Sequence, residues 1–198
     1  MQGEGLSELL YGLKAQPEQA VKWLMEHRKR DSRLQSDYLS GCTNLEDRMT
    51  LSEEDALGLV DVVTRSGQYD LIVIDLECGL DELHTAIFER SDQVIWLLNG
   101  EASVRNKHAM ALRYGEQKWG DRFSRLSPKF ICVNNHAVRA EPPASSEREG
   151  LAYAQAQLPE VPDWRRSGNV TLLSSPAFRA AVDKLYKQLS PEGGGGVC

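Results

Sequence analysis

The chain is 198 residues long, with 41% hydrophobic, 26% charged and 7% aromatic residues. A domain of this size buries about 70% of its unfolded surface, so one globular domain is expected and two full ones would be crowded. Its longest apolar runs, Leu71 to Ile74 and Val94 to Leu98, fall far short of the ~18 residues of a bilayer-spanning helix. The start, Met1-Gln2-Gly3-Glu4-Gly5, has no basic stretch leading into an apolar one, so no secretory signal is read and a cytoplasmic location is expected. With 23 Lys and Arg against 29 Asp and Glu the net charge is −6, which gives no footprint for a dedicated nucleic-acid binder. The cysteines (Cys42, Cys78, Cys132, Cys198) contain no C-x-x-C pair, and the histidines (His27, His84, His108, His136) are dispersed. Neither a zinc site nor a disulfide framework is indicated.

Leu6, Leu9, Leu10 and Leu13 recur at helical spacing and predict a first helix. Pro17 suits the first turn of a second helix with Val21, Leu24 and Met25 inward, and the basic run 27–30 then lies at its C-terminal end, where it complements the helix dipole. Asp37 to Cys42 reads as a short strand. Thr50 with Glu53, and Ser52 with Asp55, both offer capping boxes for a helix whose inward stripe is Ala56, Leu59, Val60 and Val63, and which Ser66-Gly67-Gln68 ends. Tyr69 to Asp75 is the most continuous aliphatic run, and such runs are expected as parallel strands buried on both faces. The same pattern recurs at Gln93 to Leu98 and Lys129 to Val133. Helical stripes fall between them, at Leu80, Leu83 and Ile87 and at Val104, His108, Ala111 and Leu112. Residues 142–146 read as a loop and 147–158 as helical. The last strand is Gln157 to Val161 or Asn169 to Leu173, and Ser175-Pro176 caps a final helix through Leu189. Residues 1–190 are expected to form a single incomplete α/β domain and 191–198 a flexible Gly-rich tail.

Three places hold residues that carry chemistry. Asp75 ends a strand where open α/β sheets bind ligands, and Gly79 follows in the turn, where a backbone without a side chain lets a phosphate approach. Strand-ending aspartates and turn glycines are common in α/β folds, so this pair by itself is as readily structural. Asn134 and Asn135 end another strand, and an Asn amide both donates to and accepts from a purine edge; the structural counterpart is a turn-forming Asn pair. Ser103-Val104-Arg105-Asn106 lie just past Asn99-Gly100 at the mouth of the sheet.

Taken in order, these segments resemble the MinD/ParA group of deviant P-loop ATPases, most closely the Flp/Tad-type pilus-assembly branch, over roughly three quarters of the chain. Tyr69 to Asp75 resembles the Walker B strand, Leu76 to Leu83 the switch II turn, and Asn99 to Arg105 a loop containing Ser-Val-Arg. Phe130 to Asn135 is similar to the strand ending in an adenine-contacting Asn, here Asn134, and Leu158 to Trp164 to the proline-containing base loop, with Pro159 and Pro162. The resemblance implies an α/β fold of three layers, a mostly parallel sheet with helices on both faces. It also implies ATP, with magnesium held through water by Asp75 in the complete family protein, Gly79 beside the terminal phosphate, and ATP-dependent dimerisation that controls localisation or docking to membrane-associated pilus or secretion machinery, at the inner face of the membrane.

The departure is at the phosphate end. No Gly-Lys dipeptide occurs anywhere in the chain, so the first strand and the lysine-bearing phosphate loop of the family are absent from these residues. Leu76-Glu77 also replaces the usual Ser/Thr-Pro of switch II. Phosphoryl transfer is catalysed chiefly by positioning and by stabilising charge on the phosphate oxygens. The expectation is therefore the C-terminal portion of a MinD/ParA-like ATPase that binds no nucleotide tightly and does not hydrolyse ATP by itself, in a homo- or hetero-oligomer with an exposed sheet edge. The contrasting expectation is a non-catalytic interaction module that retains the fold.

Overall fold

The computed structural model describes residues 5–32, 35–42, 44–99, 101–137, 156–165 and 175–189. The chain divides into two compact units, Met1–Arg90 and Ser91–Cys198.

The first unit is built from helices α1 (Leu6–Ala15), α2 (Ala20–His27), α3 (Leu45–Thr50), α4 (Glu53–Arg65) and α5 (Glu82–Arg90), with a short hairpin of β1 (Lys29–Asp31) and β2 (Ser36–Tyr38). The leucine stripe of α1 does what its spacing predicts. Leu9 and Leu10 pack with Ala20 and Leu24 of α2 and with Leu59 and Val62 of α4 in one apolar cluster. Of the two candidate boxes for α4, the chain uses Ser52: its hydroxyl accepts from the Asp55 backbone N–H at 3.1 Å, and the Asp55 carboxylate accepts from the Ser52 N–H at 3.2 Å. Lys14 then reaches Asp55 at 2.9 Å and ties α1 to the start of α4. Gly67, with φ of +61°, turns the chain away after α4 in the left-handed region that glycine enters without strain.

Two expectations fail in this unit. The basic run does not prolong α2. The helix stops at His27, the chain turns extended at Arg28, and Lys29 and Arg30 enter β1, which pairs antiparallel with β2 in the register Lys29↔Tyr38. The reason is Asp37 on β2, which holds Arg28 Nε at 3.0 Å and accepts from the Tyr69 hydroxyl at 3.1 Å, so the guanidinium is drawn off the helix end. The second failure is larger. Tyr69 to Asp75 forms no strand and pairs with none among the described residues, and Leu71 and Val73 are 54% and 79% exposed. Aliphatic composition makes a segment compatible with a buried strand, but the ladder requires a neighbouring strand to supply donors and acceptors.

The second unit contains β3 (Val94–Leu98), α6 (Ala102–Trp119), α7 (Asp121–Ser124), β4 (Phe130–Ala137), β5 (Ala156–Pro159) and α8 (Pro176–Leu189). The sheet order is β3-β4-β5, and both pairings are parallel. Alternation along β4 sends neighbouring residues to opposite faces. Cys132 meets His108 of α6, while Val133 packs with Leu158 and with Leu185 of α8. The result is three layers, helix on sheet on helix, as the α/β expectation required. Trp96, Phe123 and Phe130 close the α6 side with ring centroids 5.5–5.6 Å apart. The late strand falls at Ala156–Pro159, not in a helix extending to residue 158; the alternative at 169–173, the segment 147–155 and the tail lie outside the described residues. No helix among the described residues is long and apolar enough to cross a membrane.

Candidate functional site

Asp75 and Gly79 lie in the first unit, in the stretch leading into α5. Asp75 is exposed, and among the described residues no group of three His, Cys, Asp or Glu is placed to hold a metal. Glu77 is engaged by Arg48 of α3, so its charge is partly offset within the unit. The turn that follows is organised by Asp81 and His84. Asp81 Oδ1 caps α5 by accepting the His84 backbone N–H at 3.0 Å, and the same oxygen lies 2.8 Å from His84 Nδ1. His84 Nε2 lies 3.1 Å from the Glu77 carbonyl oxygen. Burial pushes the Asp81 carboxyl up, but the bonds and charge of His84 outweigh it and hold the group below the usual carboxylate range.

This arrangement accounts for Gly79 locally. A Cβ there would stand 2.5 Å from His84 Cε1 and 2.9 Å from Nε2, so the glycine is required by the buried imidazole whether or not a phosphate ever approaches. His84 escaped the sequence analysis because a single histidine on an amphipathic helix carries no pattern. The only available signal was Asp81 three residues before it, the spacing of a helix cap.

Asn134, Pro159 and Pro162 belong to the second unit, and the sheet sets Asn134 on the strand beside the one that ends at Pro159. Asn134 pairs in register with Gln157, and Pro159 ends the same strand opposite Ala137. Pro162 opens the short helical turn Pro162–Arg165. The side-chain oxygen of Asn134 is buried with no hydrogen-bond partner among the described residues, and so is the indole nitrogen of Trp164 in the following turn. Asn134 lies within β4, at the last position paired with β3, where an orphaned acceptor is unusual, since buried polar atoms are nearly always paired. Trp164, whose ring packs edge-on against Phe178 at 4.7 Å, is a second polar group that composition did not single out. At the mouth of β3, Asn99 Oδ1 accepts from the Glu101 N–H at 3.1 Å, and the Ser103 hydroxyl donates to the Glu101 carboxylate at 3.3 Å.

Under the sheet, Cys132 Sγ lies 3.8 Å from His108 Nε2. Burial pushes the thiol up and the imidazole down from their ordinary values. Both desolvation effects favour the neutral forms, so this is a packed pair and not a thiolate–imidazolium nucleophile. At pH 7, iodoacetamide is expected to label exposed Cys78 while leaving Cys132 unmodified in the folded chain; mass spectrometry of the alkylated peptides reads the difference, and comparable labelling of both would contradict it.

The fold defines a class: a parallel α/β sheet with helices on both faces. Among solved structures the chain is similar to a ParA family ATPase from Chlorobium tepidum TLS, with a TM-score of 0.63 at 14% identity over 82% of this chain and 63% of that one. The two chains share a fold, and this chain spans less than two thirds of that neighbour's length. No family model and no curated protein matches the chain.

Proposed function

We propose that these residues belong to a MinD/ParA-like nucleotide switch, of the kind that serves pilus assembly or protein localisation, and that they supply its adenine-binding end but not its triphosphate grip. The carrying observation is the Asn134 oxygen, buried and without a partner among the described residues, where the pairing of β4 with β3 ends. The exocyclic amine of adenine is a donor of the type this buried acceptor lacks, and Pro159 and Pro162 would frame the loop around the base. The triphosphate does not fit in the same way. Asp75 would order the water shell of a magnesium ion, but the 198 residues contain no Gly-Lys dipeptide, and Arg48, which reaches this turn, is already paired with Glu77. No hydrolytic step is derived from these residues.

The test is titration calorimetry with adenosine, ADP and magnesium-ATP, together with phosphate release. The expected result is weak adenine-dependent binding that is similar for all three, lost in Asn134→Val, with no magnesium-dependent turnover. Without ligand, Asn134→Val should raise stability by about 1 kcal/mol, because an unsatisfied buried acceptor is replaced by a strand-forming aliphatic group. Turnover that disappears in Asp75→Ala would overturn the proposal, and so would binding that Asn134→Val leaves intact.

A second reading, an interaction module that retains the fold, is supported by the unpaired and exposed Leu71 to Ile74 segment and by exposed Ile95 and Leu97 on β3, which has a partner strand on one side alone among the described residues. Unpaired strand edges recruit other chains. Light scattering after size exclusion, with and without ATP, separates the two: an assembly indifferent to nucleotide favours the module.

A further inference from the structure

The turn before α5 contains a feature that the nucleotide proposal does not use. His84 is almost completely enclosed, with its side chain 6% exposed, and each ring nitrogen faces an oxygen. Nδ1 is 2.8 Å from the Asp81 carboxylate, and Nε2 is 3.1 Å from the Glu77 carbonyl. Both partners are acceptors only. A neutral imidazole has one N–H and one lone pair, so in either tautomer one of these contacts would set lone pair against lone pair on a ring that is itself almost fully enclosed. The imidazolium, with two N–H groups, satisfies both.

We infer that His84 is a proton-operated latch: with both ring nitrogens protonated it clamps the Glu77–Asp81 turn onto α5, and loss of one proton releases the Glu77 side or the Asp81 side of that turn.

The turn is built to feel the change. Gly79 packs directly on the ring, so the path of the backbone from Glu77 to Asp81 follows the position of the imidazole. The edge-on ring of Phe88, at 6.2 Å, backs it from within α5. The charged groups around it are Asp81 on its own turn, Glu77 with its Arg48 partner from α3, and, on α4, which packs along α5, Asp61 bonded to Arg90 at the far end of the helix. None is a cation against the ring. Asp81 stays ionised to lower pH than a free aspartate, so its side of the latch is present above the ordinary aspartate range and is lost as pH falls through its depressed value. The other side is lost when the ring gives up one of its two protons. This inference rests on the turn geometry alone and holds whether or not the chain binds a nucleotide.

The experiment uses the full chain without ligand. Nitrogen-15 spectra of the imidazoles give the protonation state of His84, and amide hydrogen exchange, corrected for its intrinsic pH dependence, gives the protection of residues 78–81 against that of α4. The expected result is a doubly protonated ring with a protected turn at pH 5.5, and at least a tenfold loss of protection at 78–81, not shared by α4, as the ring loses its proton. Asp81→Asn keeps an oxygen acceptor but removes the charge, and should move that transition to lower pH. A neutral tautomer coexisting with an equally protected turn would overturn the inference, as would protection independent of pH or a transition that Asp81→Asn leaves in place.

Discussion

Gly79→Ala is expected to destabilise the first unit by about 2 kcal/mol, within the ~1–3 kcal/mol range of overpacking a filled site. The added methyl would sit 2.5 Å from His84 Cε1 and 3.2 Å from Nδ1, well inside contact distance. The ring cannot step aside cheaply. It is anchored toward Asp81 and toward the Glu77 carbonyl, and leaving a buried polar group unsatisfied costs ~1–3 kcal/mol by itself. The glycine is not in the left-handed backbone region, so the alanine backbone is unstrained and the whole effect is the contact. Gly12, in α1 with open space beyond its Cα, is the matched control: Gly12→Ala should stabilise by about 0.5–1 kcal/mol through helix propensity alone. Urea unfolding of the two variants decides it. Should Gly79→Ala unfold at the same midpoint as the parent chain, the glycine is there for something other than the imidazole.

The second large effect is Leu9→Ala, which should cost about 3 kcal/mol. Leu9 is 0% exposed, and its neighbours Leu10, Ala20, Leu24, Leu59 and Val62 come from three different helices. Each of those helices is held by other contacts, so they cannot all collapse into the space left behind, and the cavity adds to the lost transfer energy. The expected readout is a lower urea midpoint with an unchanged slope, together with faster exchange in α1, α2 and α4. Leu45→Ala, at a position 66% exposed, should shift the midpoint by less than ~0.5 kcal/mol. Equal effects at the two positions would mean that the α1–α2–α4 cluster is not the core of this unit.

Much of the helical framework was legible because it depends on spacing and on capping chemistry. The α1 stripe, the Ser52 box and the Ser175-Pro176 start of α8, where the Ser175 hydroxyl accepts from Phe178 N–H at 3.3 Å, are decided by residues within four positions of one another. β3 and β4 were legible as apolar runs, but β4 continues past Asn134 to Ala137. In the β1–β2 hairpin the strand expected at Asp37 to Cys42 is Ser36–Tyr38, and β1 was not legible, because Lys29 and Arg30 have poor intrinsic strand preference and the chain path depends on the ion pair of Arg28 with Asp37.

What the sequence determined by itself is therefore local: which segments are amphipathic helices, where they begin, which runs are apolar enough for a sheet, and that no Gly-Lys dipeptide occurs in these 198 residues. Only the tertiary structure decided that Tyr69 to Asp75 pairs with no strand among the described residues, that Gly79 answers to the His84 ring, that the buried Asn134 oxygen has no partner among those residues, and that Cys132 and His108 face each other where burial favours their neutral forms. Strand pairing, burial and proton affinity belong to the surroundings of a residue, and those surroundings are assembled from positions far apart along the chain. Period and propensity describe a segment's preferences; hydrogen-bond partners and desolvation, which decide its role, exist only once the other segments have arrived.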